Sequence, residues 1–139
     1  MKHNVMLTVA SLLSILFFTF HFADDIVRGF EPGGFKNLRG VLTLVVWLYG
    51  TLVLAERRSG YIIILLGSLL GLLLPVAHMW RAGLVGGRIA NSSGIFFWVW
   101  TLITLGVTAS FSVILSVRGL WSLKWGQSRV AQDLKSVVR

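Results

Sequence analysis

The sequence predicts an all-α integral membrane protein, a four-transmembrane-helix antiparallel bundle forming one membrane domain over residues 1–139. Three observations carry that expectation. Hydrophobic residues make up 55% of the chain and charged residues only 13%, where a globular domain carries about 25% charged residues. The mean hydropathy is +0.80, and so short a chain cannot hide that much apolar surface inside a water-soluble core. The apolar residues are also not scattered. They gather into four runs near the length of about 20 residues that a helix needs to cross roughly 30 Å of hydrocarbon.

The first run, residues 5–23, follows a short basic start, Met1-Lys2-His3. That beginning resembles a secretory signal, but cleavage after Ala23 would place His21 where a small residue is required. A retained helix is expected. The second run, residues 38–55, stops at Glu56-Arg57-Arg58, and the third covers residues 60–80. So short a connection predicts an antiparallel hairpin. Pro75 lies inside the third run and is expected to bend the helix just below His78, because proline removes a backbone hydrogen bond. The fourth run, residues 93–117, stops at Arg118, with Trp98, Trp100, Trp121 and Trp125 near its ends. Indole rings favour that depth, between hydrocarbon and water.

The remaining residues, 118–139, read as a basic amphipathic cytoplasmic tail, with Val130, Leu134 and Val137 at helical spacing. Such a tail is expected to lie against anionic lipid. With four spans, one face of the membrane holds eight Lys and Arg residues and the other holds five, Arg28, Lys36, Arg39, Arg81 and Arg88. The excess of positive charge predicts both termini in the cytoplasm, in a bacterial inner membrane.

Within the runs, small and polar residues recur at spacings of three and four. The series are Gly40, Thr43, Trp47 and Gly50; Gly67, Gly71, Pro75 and His78; and Thr101, Thr104, Thr108 and Ser112, with Gly106 and Ser110 alongside. They predict packing seams in which hydroxyls bond across helices. No carboxylate or Lys lies mid-span, which argues against an ion-coupled exporter.

Other functions are excluded more directly. The absence of cysteine removes disulfides, iron–sulfur clusters and thiolate metal sites. The net charge of +8 sits between and after apolar runs, the pattern of membrane loops rather than of a nucleic-acid surface. Gly83, Gly86 and Gly87 do not fit a phosphate-binding loop. Asn91-Ser92-Ser93 is formally a glycosylation sequon, but reads better as the cap of the fourth helix.

One stretch stands apart. Residues 21–34, HFADDIVRGFEPGG, hold His21, Asp24, Asp25, Arg28 and Glu31. If the first helix continues a turn beyond the bilayer, His21 aligns with Asp24, Asp25 and Arg28, and the helix is expected to stop before Glu31-Pro32-Gly33-Gly34. Odd-numbered spans run the same way, so His21 and His78 share a membrane face, with Arg81 one turn beyond His78. The ordinary reading is an interfacial network of charges at helix ends. A second is a divalent metal site of His21, Asp25 and His78, a set suited to Zn, Fe or Cu. A third is a bis-histidine haem between the first and third helices. A carboxylate–His pair for acid–base catalysis is a fourth.

No nucleophile triad, nucleotide motif or cysteine motif is present. The leading expectation is a small non-catalytic membrane protein, a homo-oligomer or an accessory or assembly subunit of a larger membrane complex. The alternative is a metal- or haem-binding protein with its site at the non-cytoplasmic ends of helices one and three.

Overall fold

The computed structural model describes residues 2–31, 34–82 and 94–137, with side chains described from residue 3 as far as residue 78 in the third helix and residue 125 in the fourth. The expectations for Gly83, Gly86, Gly87, Asn91, Ser92 and Ser93, and for the side chain of Arg81, lie outside the described residues. The described chain is helical, without strand. Its helices are α1 (Lys2–Val27), α2 (Leu38–Leu52) preceded by a single 3₁₀ turn (Gly34–Asn37), α3 (Arg58–Ala82) and α4 (Ile95–Val137). α1, α3 and α4 are each long and apolar enough to cross a membrane.

The helices lie side by side and alternate in direction. His21 meets His78 at one end, and Asn4 meets Tyr61 at the other, so α1 and α3 run the same way. Trp98 reaches Asp25, while Gly119 abuts Tyr61, so α4 runs opposite to both. α4 packs along α1 and α3, and α2 closes the remaining side against the same two helices. The inward faces follow a seven-residue repeat: Leu7, Ser14 and His21 on α1, and Trp98, Leu105, Ser112 and Gly119 on α4, all of them buried. That period keeps one seam facing its neighbours along the helix length.

The seams work through shape. A methyl group at Gly67 would collide with the Trp47 indole, one at Gly119 with the Tyr61 ring, and one at Gly40 with Phe22. Gly71 faces Leu105 and Ala109, and Gly106 faces Pro75. The small residues are thus filled from within one chain, and they do not by themselves call for a second copy. The expected hydroxyl bonds across helices are not what the threonines of these series make. Thr104 donates to the Trp100 carbonyl, Thr108 to that of Thr104, Thr101 to that of Trp98, and Thr43 to that of Arg39. A hydroxyl that reaches the carbonyl of its own helix needs no neighbour.

One cross-helix circuit does exist. The Trp47 indole donates to Ser11 Oγ at 3.0 Å, Ser11 and Thr51 share a bond of 2.8 Å, and Thr51 donates to the Trp47 carbonyl at 2.9 Å. Thr51 has one proton and gives it to the carbonyl, so Ser11 must donate to Thr51. The chain of donors therefore starts and ends on Trp47, and no buried polar atom in it is left without a bond.

Several boundaries differ from expectation. α1 runs to Val27, and its stop signal is Gly29 rather than the Pro-Gly-Gly turn. Gly29 adopts φ +72°, its N–H bonds the Ile26 carbonyl, and the Phe30 N–H bonds the Asp25 carbonyl. This is a Schellman ending, which needs a residue free to take a left-handed conformation. α2 ends at Leu52, three residues early. The carbonyl of Leu54 lies where a side chain at Gly60 would stand, so the chain must begin turning before Ala55 for α3 to pack so closely. Pro75 sits within α3 without ending it. α4 is continuous to Val137, which makes the basic tail an extension of the fourth helix rather than a separate element.

Ser11→Ala should strand a buried indole N–H and lower stability by about 1–3 kcal/mol, whereas Thr43→Ala, which removes only an exposed bond within α2, should change it little. Thermal unfolding of the purified protein checks both; equal midpoints for the two variants would show that the circuit contributes nothing.

Candidate metal centre

The charged stretch divides cleanly. Asp24 and Asp25 are adjacent, so helix geometry points them about 100° apart. Asp24 turns to Arg28, with Arg28 Nε 2.6 Å from its carboxylate. Asp25 turns inward and is buried. The sequence stripe of His21, Asp24, Asp25 and Arg28 thus resolves into two pairs, Arg28 with Asp24 and His21 with Asp25. At 3.4 Å, His21 Nε2 faces Asp25 Oδ2.

The third member arrives from α3. The imidazoles of His21 and His78 meet edge to face, with centroids 5.0 Å apart. The expected convergence of the two histidines is therefore present as direct contact. Each of His21, Asp25 and His78 offers a ligand atom, and those atoms lie within 4.8 Å of one another.

The fourth member was not singled out from the sequence as part of the site. Trp98 of α4 is 1% exposed, packs against His21 at 5.6 Å and His78 at 5.3 Å, and donates its indole N–H to Asp25 Oδ1 at 3.2 Å. Its position near the start of α4 had marked it as an interfacial ring. Its register could have placed it inside, since Trp98 stands seven residues before Leu105 and fourteen before Ser112, the inward face of α4.

Hydrogen bonds orient two of the three groups. His78 Nδ1 donates to the Leu74 carbonyl at 2.8 Å. A carbonyl only accepts, so Nδ1 carries a proton, and in the neutral ring the lone pair is then on Nε2. Histidine ligands in metal sites are commonly held in this way. Trp98 holds one carboxylate oxygen of Asp25, leaving Oδ2 toward His21. His21 itself is 1% exposed, and neither ring nitrogen has a hydrogen-bond partner. A buried polar atom without a bond is costly and rare.

The set fits a small divalent ion in composition and in scale. Ligands of a tetrahedral ion, at about 2.0–2.1 Å from it, stand roughly 3.4 Å from one another. The His21–Asp25 edge already has that length, and the ligand atoms of all three groups lie within 4.8 Å of one another. A haem does not fit. Two axial imidazoles must lie on opposite faces of the macrocycle, whereas these two rings touch each other and share Trp98.

The chain matches no protein-family model, and neither a curated protein nor a solved structure is significantly similar to it.

Trp98→Phe keeps an aromatic ring against both histidines but removes the donor to Asp25. Because a hydrogen bond to a charged group contributes about 1.5–3 kcal/mol, this variant should unfold at lower temperature. An unchanged melting temperature would mean that the indole N–H does not support the carboxylate.

Proposed function

We propose that the chain is an integral membrane protein whose functional centre is a site for a divalent transition metal, made by His21, Asp25 and His78 where α1, α3 and α4 meet. The observation that carries this reading is His21, buried with both nitrogens unsatisfied beside a carboxylate and a second histidine whose lone pair is already exposed. A bound ion would satisfy one of those nitrogens directly. Two imidazoles and one carboxylate suit Zn²⁺ and its neighbours, and a tetrahedral ion would keep its fourth position for water or another ligand. In a non-catalytic accessory or assembly subunit of a membrane complex, that open position would accept a donor from elsewhere.

The membrane part of the proposal rests on three long apolar helices and on the outward face of the fourth, shorter one. Val41, Leu42, Val45, Val46 and Leu52 of α2 are all exposed, and lipid would cover them. α2 alone is about 22 Å long at 1.5 Å per residue. The 3₁₀ turn before it adds roughly 8 Å, bringing the pair to the order of the hydrocarbon thickness. Four spans with both termini on the cytoplasmic side follow from this and from the charge distribution.

Two experiments test the proposal. The detergent-purified protein should take up one equivalent of Co²⁺ or Zn²⁺, with Co²⁺ giving visible bands of a low-coordinate site. His21→Ala and His78→Ala should abolish uptake, and Trp98→Phe should weaken it by about 10–100-fold, the usual effect of removing a group that orients a ligand. Protein that stays colourless and metal-free after loading with Co²⁺, Zn²⁺, Ni²⁺ and Cu²⁺ overturns the metal reading. Because the chain has no cysteine, single cysteines at Phe35 and Ser59 map topology without background. An impermeant maleimide should label them from opposite sides of the membrane, and labelling from one side would show that α2 does not cross.

A further inference from the structure

The end of the molecule opposite the histidines holds a groove that the metal site does not use. It lies between the start of α3, the turn before it, and α4 near the Arg118–Trp125 stretch, with a volume of about 790 Å³. Ile62 and Leu120 contribute to its apolar wall, Arg58 and Lys124 stand in the same lining, and Trp121 and Glu56 complete it. Arg58 and Lys124 are exposed, and Trp121 is 59% exposed.

Each part of this lining is ordinary alone; their combination is specific. An apolar wall beside two cations and an interfacial indole is complementary to a molecule with an acyl chain at one end and a phosphate at the other. Glu56 would oppose a bare anion. Its carboxylate, however, already accepts a bond from Asn4 Nδ2 at 2.8 Å, which ties it to α1. It has lone pairs left for a head group that can donate. The groove also sits at the membrane face where positive charge collects, and anionic lipids are enriched in the leaflet that such a face contacts.

We propose that this groove is a binding site for one anionic phospholipid with a hydroxyl-bearing head group. Its phosphate lies by Arg58 and Lys124, a head-group hydroxyl donates to Glu56, and one acyl chain runs along Ile62 and Leu120. The inference rests on the membrane reading of the chain and is independent of the metal site. It also differs from general attraction of the basic tail to an anionic surface, because it assigns the preference to two side chains in one cavity.

The test is lipid selectivity of the full-length protein in detergent micelles, followed by native mass spectrometry and by quenching of tryptophan with brominated lipids. The probes are phosphatidylglycerol, phosphatidylcholine of the same chains, and glycerophosphoglycerol without chains. Phosphatidylglycerol should bind with a preference of roughly tenfold or more over phosphatidylcholine, the scale set by two basic residues at a membrane surface. The chainless head group should not compete at equal concentration. Arg58→Gln combined with Lys124→Gln should erase the preference. Arg57→Gln combined with Arg118→Gln, an equal loss of charge outside the groove, should leave it intact. Leu120→Trp, which fills the groove without altering charge, should also abolish tight binding, and circular dichroism establishes that each variant is folded. Equal affinity for both lipids overturns the proposal, as does an equal loss of preference in the two charge pairs, which would assign it to net charge. Effective competition by the chainless head group would replace the lipid site with a free-phosphate site. A protein that leaves membranes on alkaline extraction would instead refute the membrane reading beneath it.

Discussion

A carboxylate buried among three helices sets the arrangement of one end of this molecule. Asp25 cannot leave water without partners, since an isolated buried charge costs far more than the few kcal/mol of stability typical of a small protein. Its surroundings are organised to meet that demand. The Gly29 ending keeps α1 helical through Asp25, and its first reversed bond falls on the Asp25 carbonyl. Trp98 supplies a donor from α4, and His21 stands one turn earlier on the same face. Asp24, one residue away, is paired with Arg28 instead, so each of the two adjacent carboxylates has its own partner on α1.

Polar burial also explains the unusual section of the molecule. Ser11, Ser14, Thr51, Ser68, Thr101, Ser112 and Ser116 are all buried, while long runs of Leu, Val, Ile and Phe face outward. In water that distribution would be inverted relative to a stable fold. In lipid it is reasonable, because lipid tails are as apolar as leucine and give helices no reason to bury it. What holds the helices together is then close contact. Trp47 lies in the space that a side chain at Gly67 would occupy, and Tyr61 lies in that of one at Gly119. The glycines permit approach, and the large rings opposite them supply the contact area. This division of labour explains why hydroxyls such as those of Ser14 and Thr101 can turn back to their own helices without loosening the assembly.

How much of this was legible in the sequence depended on range. Period and parity are local or topological properties, and both carried well. The four α-helices of the described residues, the hairpin between α2 and α3, and the meeting of His21 with His78 followed from run lengths and from alternation of direction alone. Helix ends were less legible, because they depend on close contacts between segments. α2 stops early on account of Gly60, eight residues past its end, and the long α4 passes Arg118 without a break because one arginine does not end a helix. The composition of the site was half visible. His21, Asp25 and His78 were identifiable by spacing, but the partition of Asp24 from Asp25 needed the position of Arg28. The role of Trp98 needed α4 to be placed beside α1. Aromatic residues near a span end are ambiguous between lipid and core, and only the seven-residue register with Leu105 and Ser112 separates the two.

A metal site of the kind proposed would have a physical reason to lie at the helix ends. An ion of charge +2 bound by one carboxylate leaves a net charge of +1, which the centre of a bilayer tolerates poorly and a helix end near the head groups tolerates far better. At that depth the ion could exchange through its open position. The Trp98 ring and the paired histidines would still exclude bulk water and strengthen the ion's attraction for Asp25. The opposite end meets the same problem with different means. Asn4, Glu56 and Tyr61 join α1 to the start of α3 by hydrogen bonds, with no inward carboxylate and no second histidine among the described residues there. The two ends are therefore chemically distinct: one gathers ligand atoms inside the helices, and the other turns its charges outward beside an apolar groove. Such polarity along the helix axis is what a protein inserted in a single orientation would use, with each face of the membrane meeting its own chemistry.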